Sequence, residues 1–107
     1  MNANKLTTAV LKKLSDAGIM AWRQNNQPTH DPKMNNGYGG YRAHNGMKGV
    51  PDIIAIVKGQ FVGVEIKFGK DKLSPDQILF KRFCEHAGGT YLVIKTVEEV
   101  DNFLLTV

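Results

Sequence analysis

Residues 50–57 constrain the fold more than any other segment of the chain. They are almost wholly apolar, with several β-branched side chains, and they carry the single charge of Asp52. This composition is typical of a strand that is buried on both faces. Such a strand needs a covering layer on each side, so the segment predicts an α/β domain.

A second strand follows after a tight turn at residues 58–60. Residues 61–68 alternate between two faces, with Val62, Val64 and Ile66 on one face and Phe61, Gly63, Glu65 and Lys67 on the other. The short turn predicts that the two strands pair as a hairpin.

The rest of the chain alternates helices with strands. Residues 3–17 have apolar positions at helical spacing and residues 19–23 form a short apolar strand. Ser74 and Thr96 each begin a capping box that opens a helix, and residues 90–94 form a strand between these helices. We predict one domain over residues 1–107, a mixed central β-sheet flanked by helices in the order α-β-β-β-α-β-α. In this arrangement Ile78, Leu79, Phe83 and Cys84 would face inward, and Trp22 would lie in the core.

Residues 27–49 show no periodicity. They contain five of the eleven glycines and two of the four prolines. A long loop inside a small domain is usually a binding loop, a lid or a disordered segment.

Composition excludes several classes of protein. No run approaches the roughly 18 apolar residues of a membrane span. No secretory signal precedes the first helix, and the single cysteine, Cys84, cannot form an internal disulfide. The expected location is therefore the reducing cytoplasm. Residues 1–50 carry a net charge of +5 and residues 51–107 a net charge of −1, which is compatible with a polyanionic partner.

Three charged residues stand where folding alone would not place them. The hairpin sets Asp52 near Glu65 on the neighbouring strand, and Lys67 shares the face of Glu65. Two adjacent carboxylates repel each other unless a cation lies between them, and Mg²⁺ binds one or two carboxylates together with phosphate oxygens. The alternative is an internal ion pair between Lys67 and one acid, with the other acid at a sheet edge.

The spacing resembles that of a known nuclease family. Pro51-Asp52, twelve intervening residues and Glu65-Ile66-Lys67 are similar to the PD-(D/E)xK nuclease motif. The flanking segments, residues 49–54, 64–67, 73–77 and 88–91, resemble the VRR-NUC (virus-type replication-repair nuclease) branch. The likeness extends over residues 46–100 and covers the first 45 residues poorly.

The resemblance implies a role for each matching residue. Asp52, Glu65 and the backbone carbonyl of Ile66 would bind Mg²⁺, for which Mn²⁺ would substitute, and Lys67 would orient or activate the attacking water. Gln77 would match the family's glutamine near the site and touch metal-bound water or substrate; it is also the capping-box residue, and both roles can hold together. The family's glutamate on the first helix is absent, since no Glu precedes Glu65. Asn4 is the candidate for its place, and Asp16 is too near the helix end.

These observations predict a metal-dependent DNA endonuclease. The family analogy suggests a structure-selective homodimer similar to a Holliday-junction resolvase and acting in DNA repair. The alternatives are a monomeric nickase or flap nuclease, a non-catalytic nucleic-acid-binding module of the same fold, and a structural domain with an internal ion network. Candidate DNA contacts in the long loop are Lys33, Tyr38, Tyr41, Arg42 and Lys48.

Overall fold

The computed structural model describes residues 1–24, 29–42 and 47–107, with no side-chain description for residues 29–31, 41 and 42. The described elements are, in chain order, α1 (Ala3–Asp16), β1 (Met20–Arg23), β2 (Thr29–Asp31), β3 (Gly40–Arg42), β4 (Ile53–Val57), β5 (Gln60–Ile66), α2 (Pro75–His86), β6 (Thr90–Ile94) and α3 (Val97–Leu104).

The main sheet has four strands in the order β1-β4-β5-β6. The β1–β4 and β4–β5 pairs are antiparallel, whereas β5 and β6 run parallel. The predicted mixed α/β sheet is therefore confirmed, and the hairpin of β4 and β5 turns at the predicted position.

The long segment 27–49 is not entirely a loop. Within its described part, β2 and β3 pair as a small antiparallel hairpin, with Thr29 opposite Arg42 and Asp31 opposite Gly40. The prediction missed these strands because each has three residues, too few for an alternating pattern to be recognised.

One face of the main sheet carries the core. Leu6, Val10 and Leu14 of α1 recur at helical spacing and are each at most 1% exposed. They pack with inward residues of β4, β5 and β6 and with Val100 of α3. Fully burying such a side chain contributes roughly 1.5–3 kcal/mol, so this layer accounts for much of the stability of the fold.

The other face is only partly covered. Helix α2 lies over β5 and β6, where Phe80 contacts Phe61 and Tyr91 at ring-centroid distances of 6.5 and 6.0 Å. No residue of α2 is fully buried. The side of the sheet formed by β1 and β4 leaves Met20, Trp22 and Ile56 exposed on this face.

Two predictions about apolar residues are wrong. Ile78, Leu79 and Phe83 are 42, 52 and 67% exposed, and Trp22 is 39% exposed. Helix α2 turns Gln77, Phe80 and Cys84 toward the sheet instead. Apolar periodicity identifies a face of a helix, but it does not show whether another element covers that face.

No helix in the described ranges has both the length and the apolar character that a membrane span requires.

Candidate active site

The candidate active site lies where β4 and β5 meet α2. Ile53 pairs with Val64, and continuing this register by one residue sets Asp52 opposite Glu65. The Ile66 amide donates a 2.8 Å hydrogen bond to Asp52 Oδ2. The hairpin therefore brings the two acids together as the sequence predicted.

The backbone around Asp52 is held from two sides. The Gln24 amide donates a 2.7 Å hydrogen bond to the Asp52 carbonyl, which extends the pairing of β1 and β4 to the site. Pro51 packs over Gly63, where an added Cβ would lie 2.6 Å from Pro51 Cγ. A glycine at position 63 is thus what allows the segment before β4 to lie flat on the sheet.

Glu65 is the most buried charged residue of the site, at 3% exposure. Its Oε1 accepts a 3.0 Å hydrogen bond from Gln77 Nε2 and lies 3.8 Å from Lys67 Nζ. Its Oε2 is buried and has no hydrogen-bond partner among the described residues. Protein groups therefore contact Oε1, whereas Oε2 is buried without such a contact.

Burial raises the pKa of Glu65 to about 8, with a further upward contribution from the Asp52 carboxylate that outweighs the lowering effect of Lys67. The cause is that two carboxylates share a poorly solvated space. In the absence of a cation, the site holds a proton near neutral pH.

The Gln77 side chain takes part in both the helix cap of α2 and a contact with Glu65. Its Oε1 accepts a 2.8 Å hydrogen bond from the Ser74 amide, and the Ser74 hydroxyl accepts one of 3.3 Å from the Gln77 amide. This capping box fixes the first turn of α2. Nε2 of the same side chain donates to Glu65, so the predicted cap is present and Gln77 lies beside the candidate site, while its contact with metal-bound water or substrate stays a prediction.

Lys67 forms the ion pair that the alternative interpretation required. Its side chain is 13% exposed, and its 3.8 Å approach to Glu65 places a cation beside the acids. The ion pair explains part of the burial of Glu65. It does not satisfy Glu65 Oε2, nor does it separate Glu65 from Asp52.

No third acid joins this pair among the side chains that the structure describes. Asp16 is 65% exposed and pairs with Lys12 at 2.7 Å, and Asn4 is exposed in the first turn of α1. Among the described residues, no cluster of three His, Cys, Asp or Glu side chains could hold a metal ion. The donor set in the described part is two carboxylates, and the backbone carbonyl of Ile66 is the candidate third ligand.

The candidate DNA contacts are scattered. Lys48 is exposed and lines a cavity of about 440 Å³ beside α2, together with Met47, Leu79 and Phe83. Tyr38 is 92% exposed and Lys33 is also exposed, whereas the side chains of Tyr41 and Arg42 lie outside the described residues.

Sequence reasoning missed two aromatic residues near the acids. The Tyr91 hydroxyl is buried without a hydrogen-bond partner among the described residues. Burial raises its pKa, and the Glu65 and Asp52 carboxylates raise it further. Trp22 pairs with Ile54, two residues beyond Asp52 on the same face. Only the strand register reveals these positions.

A search of solved structures finds the same architecture elsewhere. A structure described as a VRR_NUC domain superposes with a TM-score of 0.69, covering 95% of this chain and 92% of the other, at 16% sequence identity. This chain has the VRR_NUC fold. No family model and no curated protein matches the sequence. The match confirms the predicted α/β architecture, and its coverage of 95% of the chain is wider than that of the sequence motifs.

Proposed function

We propose that this chain is a divalent-cation-dependent endodeoxyribonuclease that hydrolyses phosphodiester bonds. The observation that carries the proposal is the pairing of Asp52 with the buried Glu65, whose Oε2 has no partner among the described residues. A buried carboxylate oxygen without a hydrogen-bond partner has an energetic cost in folding. Its presence is explained if a cation and a phosphate complete the site.

The residues fit a hard divalent cation. Carboxylate and carbonyl oxygens are the ligands that Mg²⁺ and Mn²⁺ accept, and Asp52, Glu65 and the Ile66 carbonyl would hold the ion. When bound, the cation supplies Lewis-acid stabilisation of the negative charge that develops on the phosphate.

Lys67 supplies a positive charge beside the two acids for the hydrolysis. Its ammonium lies 3.8 Å from Glu65 Oε1 and is largely removed from solvent, so its charge is weakly screened. It orients the attacking water and stabilises the negative charge that develops as the water oxygen bonds to phosphorus in line, while the opposite P–O bond to the leaving deoxyribose oxygen breaks and the proton of the water is released to solvent. Gln77 holds the Glu65 carboxylate in one orientation, which keeps Oε2 directed away from the capping box.

We further propose that the enzyme selects branched DNA and cuts it as a homodimer. Two equivalent cuts require two sites, and each chain carries one pair of neighbouring acids in its described part. The exposed Leu79 and Phe83 of α2 provide an apolar surface on which two copies could associate. In the alternative, a monomeric nickase or flap nuclease would use the same residues in a single active site.

The test is cleavage of end-labelled DNA in four forms: four-way junction, flap, duplex and single strand. Each form is incubated with Mg²⁺, with Mn²⁺ and with chelator, and wild type is compared with Lys67→Ala. A non-catalytic binding module would retain salt-sensitive DNA binding without cleavage in any metal.

Paired symmetric cuts in the junction alone, absent in chelator and in Lys67→Ala, are the expected result. Cutting of flap or duplex instead would leave the hydrolytic mechanism in place and remove the junction selectivity. Absence of cutting under every condition would overturn the proposed function.

A further inference from the structure

We propose that Trp22 is a stacking platform for an unpaired nucleobase next to the scissile phosphate. This inference rests on the proposed function and deepens it, because it assigns the substrate to DNA with at least one unpaired nucleotide beside the cut. The occupant is a nucleobase, and a protein partner or a second copy of the chain is an outcome that the test distinguishes.

The position of Trp22 follows from the strand register. Trp22 pairs with Ile54 across β1 and β4, and the next pair on the same face is Gln24 with Asp52. Neighbouring strands lie about 5 Å apart, and two residues along a strand span about 7 Å. The Cα atoms of Trp22 and Asp52 are therefore separated by about 8 Å on one sheet face.

The orientation of the indole is fixed by its polar edge. Trp22 Nε1 donates a 3.3 Å hydrogen bond to Gln24 Oε1. The backbone N–H of the same Gln24 donates to the backbone carbonyl of Asp52. Gln24 thus connects the ring to the backbone of a candidate catalytic acid. A ring held in this way loses little conformational entropy when a ligand stacks on it.

Part of the Trp22 side chain is also left exposed by the fold. It is 39% exposed, and its neighbours Met20 and Ile56 on the same face are 68 and 37% exposed. Helix α2 covers β5 and β6 but not this side of the sheet. An aromatic side chain that is 39% exposed, beside a site with the chemistry of phosphate binding, has the features of a base-stacking position.

Charge favours a nucleic acid as the occupant. Lys67 lies on the same sheet face as the indole, whereas the exposed Arg23 follows Trp22 on β1 with its side chain on the opposite face. Residues 1–50, which include β1, carry a net charge of +5. A partly exposed aromatic ring near the ammonium of Lys67, on a strand from the basic half of the chain, is the kind of combination that binds single strands.

The chain contains one tryptophan, so its fluorescence reports on this residue alone. The experiment titrates wild type in chelator with oligothymidylate and with a fully paired duplex, and follows tryptophan emission. The affinities of Trp22→Ala, Trp22→Phe and Trp22→Leu are measured by the anisotropy of labelled DNA. Met20→Ala is the matched control, because it removes an exposed apolar side chain from the same strand and face.

We expect oligothymidylate to quench the emission and Trp22→Ala to weaken single-strand binding about tenfold, since stacking one base contributes roughly 1–3 kcal/mol. Trp22→Phe keeps most of the affinity, Trp22→Leu does not, and Met20→Ala and duplex binding are unchanged. Binding is measured without metal, so the result is independent of whether the enzyme cuts.

Three results would overturn the inference. One is single-strand affinity in Trp22→Ala equal to that of wild type, with cleavage of DNA intact, which would leave the proposed function standing. Another is equal affinity in the Leu and Phe variants, which would indicate apolar packing without stacking. The third is a change of oligomeric state in Trp22→Phe or Trp22→Ala, which would show that a second copy covers this face.

Discussion

Glu65 is the side chain whose negative charge is least favourable in the site. It is 3% exposed, it faces another carboxylate, and one of its oxygens has no hydrogen-bond partner in the described part of the chain. A protein that needed only stability would have an apolar residue here. The residue is better explained by a ligand that neutralises it.

Glu65 should make the metal-free protein less stable as pH rises. Its pKa is about 8 in the folded state, against an ordinary value of 4.5 for a solvated glutamate. Between these values the folded chain retains a proton that the unfolded chain has lost. Stability therefore falls between about pH 4.5 and 8, by an amount on the order of a few kcal/mol, and levels off above that range. Thermal or urea unfolding in chelator measures it.

Glu65→Gln is the control for this pH dependence. The variant keeps the shape of the side chain and removes its titration, so the difference in unfolding free energy between variant and wild type should grow with pH. A constant difference between pH 5 and 8 would show that Glu65 is ionised throughout this range, contrary to the account.

Gln77 and Ser74 allow the two roles of the capping box to be separated. Ser74→Ala removes the cap of α2, which costs about 1 kcal/mol of stability. Gln77→Ala removes the reciprocal cap and also the 3.0 Å contact with Glu65. We expect similar losses of stability but a cleavage rate about tenfold lower in Gln77→Ala than in Ser74→Ala. Equal rates in the two variants would reduce Gln77 to a helix cap.

At the scale of elements, the first turn of α2 is held against the strand that carries Asp52. Gly49 adopts φ +78°, and a Cβ at this position would lie 2.2 Å from the Asp76 carbonyl oxygen. The chain between Gly49 and Asp52 is therefore packed under α2. This packing, together with the capping box, sets the distance between Gln77 and Glu65.

Gly49→Ala should therefore destabilise the protein and impair the site together. Gly59→Ala is the matched control, because Gly59 has φ +80° but nothing within 4 Å of an added Cβ. Backbone strain alone costs about 1–2 kcal/mol in each variant. We expect Gly49→Ala to lose more stability than Gly59→Ala and to cleave DNA more slowly. Equal losses of stability, with equal rates, would mean that the contact with α2 does not position the site.

Much of this arrangement could be predicted from the sequence, and the reasons are local. The turn at Gly59 fixes the register that sets Asp52 opposite Glu65, and the Ser74 motif fixes the start of α2. Both depend on residues close together in the chain. Sequence patterns also indicated the mixed sheet, because an apolar β4 needs layers on both sides.

The features that the sequence did not predict depend on contacts between elements that are distant in the chain. Trp22 was assigned to the core because large aromatics are mostly buried, but its exposure depends on how far α2 extends across the sheet. The same holds for Phe83, whose helix face has no covering element in the described structure. The unpartnered Oε2 of Glu65 and the buried Tyr91 hydroxyl likewise follow from packing, which no local pattern records.

At the scale of the whole molecule, the proposed homodimer requires an exposed apolar surface. The described part of the chain measures 53 × 32 × 28 Å and has its exposed apolar α2 surface on the same layer as the acids. Leu79 and Phe83, at 52 and 67% exposure, lie one turn apart on this surface.

Phe83→Ser should convert a dimer into a monomer and replace paired cuts by single nicks. Leu105→Ser is the control, since Leu105 is 85% exposed and follows α3 on the opposite layer. Sedimentation velocity measures the oligomeric state, and junction cleavage measures the outcome. A wild-type protein that sediments as a monomer at all concentrations, or a Phe83→Ser dimer, would remove α2 as the interface.

The central claim is that Asp52 and Glu65 hold a divalent cation, and calorimetry tests it most directly. Mn²⁺ is titrated at neutral pH into Lys67→Ala saturated with DNA, because this variant keeps both acids and leaves the DNA intact. The account predicts saturable binding in Lys67→Ala, with release of protons as Glu65 ionises, and its loss in Asp52→Ala/Lys67→Ala. No saturable heat in either protein, or the same heat in both, would contradict the assignment of these residues as a metal site.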